Sequence, residues 1–149
     1  MDVRRLLRRG PVTMDGEASM RAAAARMAEE GVGAMVVTRG RKIAGIVSER
    51  DFLAAVGEGA DPDDTLLWDL MVPEPFSVDV KTNVGEAARI MVDKGIRHLP
   101  VFEADQLCGV ISMRDLLFAA LEETAKEARA DWFRFLEPEF PGTVTNDGG

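Results

Sequence analysis

The sequence predicts an α/β (α+β) fold made of two copies of one β-α-β-β-α half-domain, paired about a pseudo-twofold axis, with a helical C-terminal extension. Three observations predict it. Gly45-Ile46-Val47-Ser48-Glu49-Arg50-Asp51-Phe52-Leu53 returns without gaps, 64 positions on, as Gly109-Val110-Ile111-Ser112-Met113-Arg114-Asp115-Leu116-Leu117. The same offset matches Val12-Thr13 with Phe76-Ser77, Met27 with Met91 and Gly31 with Gly95. Within each copy, one helical stripe and two strand-like runs follow in the same order. Two copies do not make a solenoid, for which three or more are usual, so a pair sharing one core is the natural arrangement.

Each copy, roughly 3–56 and 67–120, begins with a short apolar lead, Val3 to Leu7 or Leu67 to Met71. Proline follows (Pro11; Pro73 and Pro75), then an extended segment, Val12-Thr13-Met14 or Phe76-Ser77-Val78. Ser19 and Asn83 are good helix N-caps, and Glu86 three residues after Asn83 gives a capping-box spacing. Met20, Ala23, Ala24 and Met27 fall at i, i+3, i+4 and i+7, one buried stripe. Gly31 and Gly95 stop these helices.

A hairpin comes next in each copy. Ala34 to Thr38 turns through Arg39-Gly40-Arg41-Lys42 into Ile43 to Val47. Leu99 to Phe102 turns through Glu103-Ala104-Asp105-Gln106 into Leu107 to Ile111. Pro100 cannot donate to a ladder, which predicts an edge position or the start of its strand. Ser48 and Ser112 open the closing helices. Gly57 to Thr65 is an acidic linker bearing Gly and Pro. The last helix continues through Glu122, Lys126 and Arg129 to about Leu136. Trp132, Phe133, Phe135, Leu136 and Phe140 crowd its end, and a frayed tail is expected from Thr143. The expected divisions are 1–60, 61–120 and 121–149.

Composition narrows the function. A chain of 149 residues, 46% hydrophobic and 30% charged, suits a soluble globular protein. At this length about 70% of the surface of the unfolded chain can be buried, so no disulfide is needed for a core. The net charge of -8 speaks against a nucleic-acid backbone as partner. The charge is uneven: residues 3–56 hold ten Lys/Arg against six Asp/Glu, which leaves room for a small anion. The single cysteine, Cys108, excludes an internal disulfide, fits a reducing compartment, and reads as a buried small hydrophobe. No signal-peptide pattern and no apolar run near ~20 residues occurs, so a cytoplasmic protein without a membrane partner is expected.

The chemistry concentrates in Ser48-x-Arg50-Asp51 and Ser112-x-Arg114-Asp115. A serine at a helix start, the first free N–H groups and the helix dipole favour an anion. Arginine adds a bidentate phosphate clamp. The carboxylate can accept two hydrogen bonds from a ribose diol. A second reading stands beside this one: Ser-x-x-Asp is also an acidic variant of the capping box, with the carboxylate turned back to its own helix start. His98, the single histidine, has no metal-ligand cluster around it in sequence and no nucleophile with an orienting partner. No metal site and no catalytic set is expected. There is no Gly-rich phosphate loop ending in Gly-Lys-Ser/Thr.

These two stretches resemble the closing motif of cystathionine-β-synthase (CBS) domains, and Gly95-Ile96-Arg97-His98-Leu99-Pro100-Val101 is similar to their central strand motif. The tandem pair resembles a two-repeat Bateman module over about residues 3–120. The resemblance implies a non-enzymatic, standalone sensor with two clefts that take AMP, ADP, ATP or S-adenosylmethionine as a regulatory ligand, not a cofactor. It implies that Asp51 and Asp115 hold ribose and that Ser48 and Ser112 meet phosphate, supported by Arg50 and Arg114. Val12-Thr13 and Phe76-Ser77 would border the base, and Arg97, His98 and Leu99 would line a cleft. The first copy has Gly33, Ala34 and Met35 at the last three positions, so the clefts should differ. A flat homodimer formed through helical faces, and an unidentified client protein, are also implied. The alternative is a nucleotide-independent scaffold.

Overall fold

The computed structural model describes residues 1–136, with side chains to residue 127. The aromatic cluster at Trp132, Phe133, Phe135, Leu136 and Phe140 lies outside the described side chains, and the tail from Thr143 lies outside the described residues. The chain divides into two compact units, Met1–Met113 and Arg114 onward.

In the first unit a 3-10 turn at Val3–Leu6 precedes β1 (Thr13–Asp15), α1 (Met20–Glu30), β2 (Ala34–Arg39), β3 (Lys42–Ser48) and α2 (Glu49–Gly57). The second copy gives α3 (Leu67–Leu70), β4 (Val72–Pro73), β5 (Val78–Asp79), α4 (Val84–Lys94), β6 (His98–Glu103) and β7 (Gln106–Ser112). The last helix, α5 (Met113–Leu136), is continuous, so the expected division at 120 falls inside it. Within the second unit the Arg114 guanidinium lies 5.5 Å from the Phe118 ring centroid, one helical turn on.

Local chemistry sets the element ends. Ser19 Oγ accepts from Ala22 N–H at 3.1 Å and Asn83 Oδ1 accepts from Gly85 N–H at 2.8 Å, capping α1 and α4. Gly31 and Gly95 stand in the left-handed region at φ 67° and 64°. They let Val32 and Ile96 N–H reach back to Met27 and Met91 carbonyls at 3.0 Å. Met20, Ala23 and Met27 are buried, whereas Ala24, expected on the same stripe, is exposed.

One sheet has the order β1-β2-β3-β4 and the other β5-β6-β7. β1 runs parallel to β2, as β5 does to β6, and the two hairpins β2–β3 and β6–β7 are antiparallel. The register of each hairpin shifts at the same place, between Val37 and Thr38 and between Val101 and Phe102. Gly45 still faces Val37 while Ile43 faces Thr38, which leaves Ala44, and Cys108 in the second copy, as the extra residue of a bulge. Cys108 is accordingly half-buried, not the fully buried hydrophobe expected.

Pro100 also departs from expectation. It is fully buried in β6, the middle strand of its sheet. The first copy explains how. There Val36 N–H points toward β1 and donates to Val12 C=O at 3.3 Å. Proline at the matching position lacks that donor, and pairing of β5 with β6 begins one step later, at Val78↔Val101. The proline thus occupies a middle strand at a step where pairing with β5 has not yet begun.

The leads are exchanged between copies. Val3 and Arg4 N–H donate to Thr82 and Val80 carbonyls of the second copy at 2.8 and 3.1 Å. Leu67 and Trp68 N–H donate to Ala18 and Gly16 carbonyls of the first at 3.0 and 3.1 Å. β4 then adds itself to β3 through Gly45↔Pro73 and Ile46↔Val72. Leu67 is fully buried in the first copy's core with Met27, Met35, Val37 and Val47. This exchange makes the two half-domains one unit.

Candidate functional site

The exchange has a chemical result. It brings the start of α2 from one copy against the Val72–Phe76 segment and the turn into β6 from the other. Between them lies a cavity of about 460 Å³, lined by Ser48, Arg50 and Asp51 on one side and by Phe76, Arg97 and His98 on the other. This volume falls within the range of small-molecule sites, about 300–1,000 Å³.

The closing motif is held from both ends. Glu49 N–H donates to Gly33 C=O at 3.0 Å, which pins the first turn of α2 to the residue just before β2. Oδ2 of Asp51 accepts from Ser48 N–H at 2.8 Å and from Ser48 Oγ at 3.2 Å. The carboxylate therefore does fold back on its own helix start. Both bonds land on one oxygen, and the cavity beside it is open. Gly33 is small for a reason: a Cβ there would lie 3.2 Å from His98 Nε2 and 3.5 Å from Glu49 Oε1. The imidazole from β6 and the carboxylate from α2 each come close to that glycine.

Apolar walls come from Ile46, Val72, Pro73, Pro75, Phe76 and Ile96. Phe76 is 53% exposed, and the Lys94 ammonium sits 4.9 Å from its ring centroid. Glu74 between the two prolines has φ 46°, a left-handed conformation that non-glycine residues seldom adopt. Phe76 and Ser77 precede β5, which begins at Val78, and the Phe76 ring is exposed at this wall.

The other residues that the sequence put forward are not among the cavity lining. Leu99 is fully buried and faces Ile111 across the hairpin, because alternation along β6 turns it into the core when His98 turns out. It is a core residue, not a cleft residue. Val12 packs against the first copy's core and Thr13 pairs with Val36, both away from the cavity. Ser77 does not line it either. Ser112 faces His98 across the second hairpin. Arg114 and Asp115 belong to the other compact unit, where they form the first turn of α5. Sequence reasoning missed Glu49, Glu74 and Ile46. The one signal for Glu74 was the Pro-x-Pro bracket at 73–75. Among the described residues no group of three or more His, Cys, Asp or Glu is placed to hold a metal, and no helix is long and apolar enough to cross a membrane.

The family model for the CBS domain matches residues 3–58 and 67–122. The chain belongs to the CBS domain family. Its two copies are a tandem pair of CBS domains. An uncharacterized protein of Methanopyrus kandleri is 34% identical over 111 residues, 68% of this chain and 57% of that one. A CBS domain protein from Pyrobaculum aerophilum, solved in complex with AMP, is 33% identical with a TM-score of 0.74, covering 85% of this chain and 99% of that one. A CBS-domain containing protein of Agrobacterium tumefaciens is 30% identical with a TM-score of 0.75, covering 80% and 99%. The chain spans about half the length of the first curated relatives it matches.

Proposed function

We propose that this CBS pair is a regulatory module that takes an adenine nucleotide in the cavity between its copies and, on binding, changes its conformation or its affinity for a client protein. One observation carries the reading: a single cavity gathers Ser48, Arg50 and Asp51 from one copy with Phe76, Arg97 and His98 from the other. The AMP complex of the Pyrobaculum relative supports the ligand class. In this reading Asp51 keeps its cap through Oδ2 and offers Oδ1 to the ribose diol. Ser48 Oγ and the two arginines take the phosphate, and the apolar wall with Phe76 takes the base. In this reading the protein senses the ligand without transforming it. Any shift it produces is bounded by the ligand's differential affinity for the two states.

A nucleotide-independent scaffold is the second reading, favoured by the Asp51–Ser48 bonds, which give the motif a purely structural use. A thermal-shift series with AMP, ADP, ATP and S-adenosylmethionine separates the two. At a hundredfold excess over Kd the bound ligand should stabilise the fold by about 2.7 kcal/mol. A flat response to every adenosine compound would leave the scaffold.

A further inference from the structure

We propose that the cavity takes a nucleoside monophosphate in preference to a di- or triphosphate, and that Glu49 and Glu74 set this preference. The inference rests on the nucleotide reading above and adds what selects among nucleotides. It starts from a count of charge along the cavity wall. The arginines there are Arg50 and Arg97, and the carboxylates are Glu49, Asp51 and Glu74, with His98 between them. Lys94 is engaged at the Phe76 ring and is not part of the lining.

Two guanidinium groups match the two charges of one phosphate dianion. A second or third phosphate adds negative charge without a further cation in the lining to meet it. It meets carboxylates instead. Asp51 is committed to the Ser48 amide and hydroxyl through Oδ2, which leaves Glu49 and Glu74 to oppose a longer chain. The backbone of each is held, and each side chain is exposed at the cavity wall. Glu49 starts α2, its N–H bonded to Gly33 C=O, with its carboxylate near Gly33. Glu74 is fixed between Pro73 and Pro75 at φ 46°. Both carboxylates are exposed, so their repulsion acts at the open side of the cavity and is strongest at low salt. Repulsion of this kind excludes a competitor without adding affinity for the favoured ligand.

Titration calorimetry with AMP and ATP, in buffer free of divalent cations, tests it on the wild-type chain and on Glu49→Gln/Glu74→Gln. AMP is expected to bind the wild type roughly tenfold or more tightly than ATP at low salt. The double variant is expected to narrow that ratio at least about threefold, mainly by tightening ATP, and Glu74→Lys to narrow it further. The ratio is read on one sample, so partial unfolding of a variant does not mimic the result. Equal or tighter binding of ATP by the wild type overturns the inference, as does a ratio that both variants leave unmoved. Binding of neither nucleotide is a different outcome, which removes the nucleotide reading itself and this inference with it.

Discussion

Asp51 answers the backbone of Ser48 three residues before it, and one carboxylate oxygen takes both the amide at 2.8 Å and the hydroxyl at 3.2 Å. A residue proposed to hold a ribose is thus also the clamp on its own helix. The two roles separate by substitution. Asp51→Ala should cost about 0.5–2 kcal/mol in chemical denaturation, the usual loss of a cap, and should abolish stabilisation by nucleotide. Asp51→Asn keeps an oxygen for the Ser48 amide and should retain most of the stability while still losing the ligand. If Asp51→Ala keeps the full ligand response, the residue caps and nothing more.

An ion pair ties the linker to the first copy. Arg21 Nε lies 2.6 Å from Asp63 Oδ1, and a further nitrogen lies 3.2 Å from Oδ2. The Arg21 hydrogen bond, helped by its charge, holds the Asp63 carboxyl below its ordinary value of 3.8. A carboxyl depressed on folding contributes stability above that ordinary value and loses it as pH falls through the depressed one. Both side chains are exposed, so the effect is small. In an NMR titration, Arg21→Gln should move the Asp63 midpoint upward toward 3.8. An unmoved midpoint would mean the pair does not persist in solution.

These contacts bear on how far the sequence speaks for the structure. The duplication, the capping residues Ser19 and Asn83, the stops at Gly31 and Gly95 and the hairpins were legible because each depends on a few adjacent residues. The exchange of leads was not, since an offset aligns the copies without saying which lead pairs with which sheet. Pro100 was misplaced because its missing donor matters only on one flank of the strand, and the sequence does not state which flank. Leu99 was drawn toward the cleft by its neighbours Arg97 and His98, against the two-residue alternation that turns it inward. Of the cavity, Ser48, Arg50 and Asp51 announced themselves by repetition. Glu49 did not, because its counterpart is Met113 and its role depends on the empty space at Gly33.

We propose that the homodimer implied by the family resemblance uses α2 as part of its contact. Leu53 and Val56 are 75% and 59% exposed, three residues apart on one side of the helix. Analytical ultracentrifugation is expected to give a dimer for the wild type and a monomer for Leu53→Glu/Val56→Glu, with unchanged circular dichroism. A variant that remains dimeric would move the contact away from α2.

The two copies use their motif glycines alike but not equally. Gly45 sits in β3 where β4 from the other copy comes alongside. A Cβ there would lie 2.5 Å from Val72 O, a backbone atom, and 2.8 Å from Met71 Sδ. At Gly109 the nearest atoms would be Leu7 Cδ2 at 3.0 Å and Arg9 O at 3.3 Å. In both copies the glycine makes room for the exchanged lead. The side-chain tip of Leu7 can swing away; the carbonyl of Val72 cannot move without breaking the pairing of β4 with β3. Gly45→Ala should therefore cost about 1–3 kcal/mol or more by overpacking, and Gly109→Ala clearly less, as read from urea midpoints at constant m-value. The Val72–Phe76 segment also walls the cavity, so Gly45→Ala should weaken nucleotide binding beyond its effect on stability, whereas Gly109→Ala should leave that binding close to wild type. Equal costs at the two glycines would show that β4 yields as readily as a leucine side chain, and that the wall of the cavity is softer than its prolines suggest.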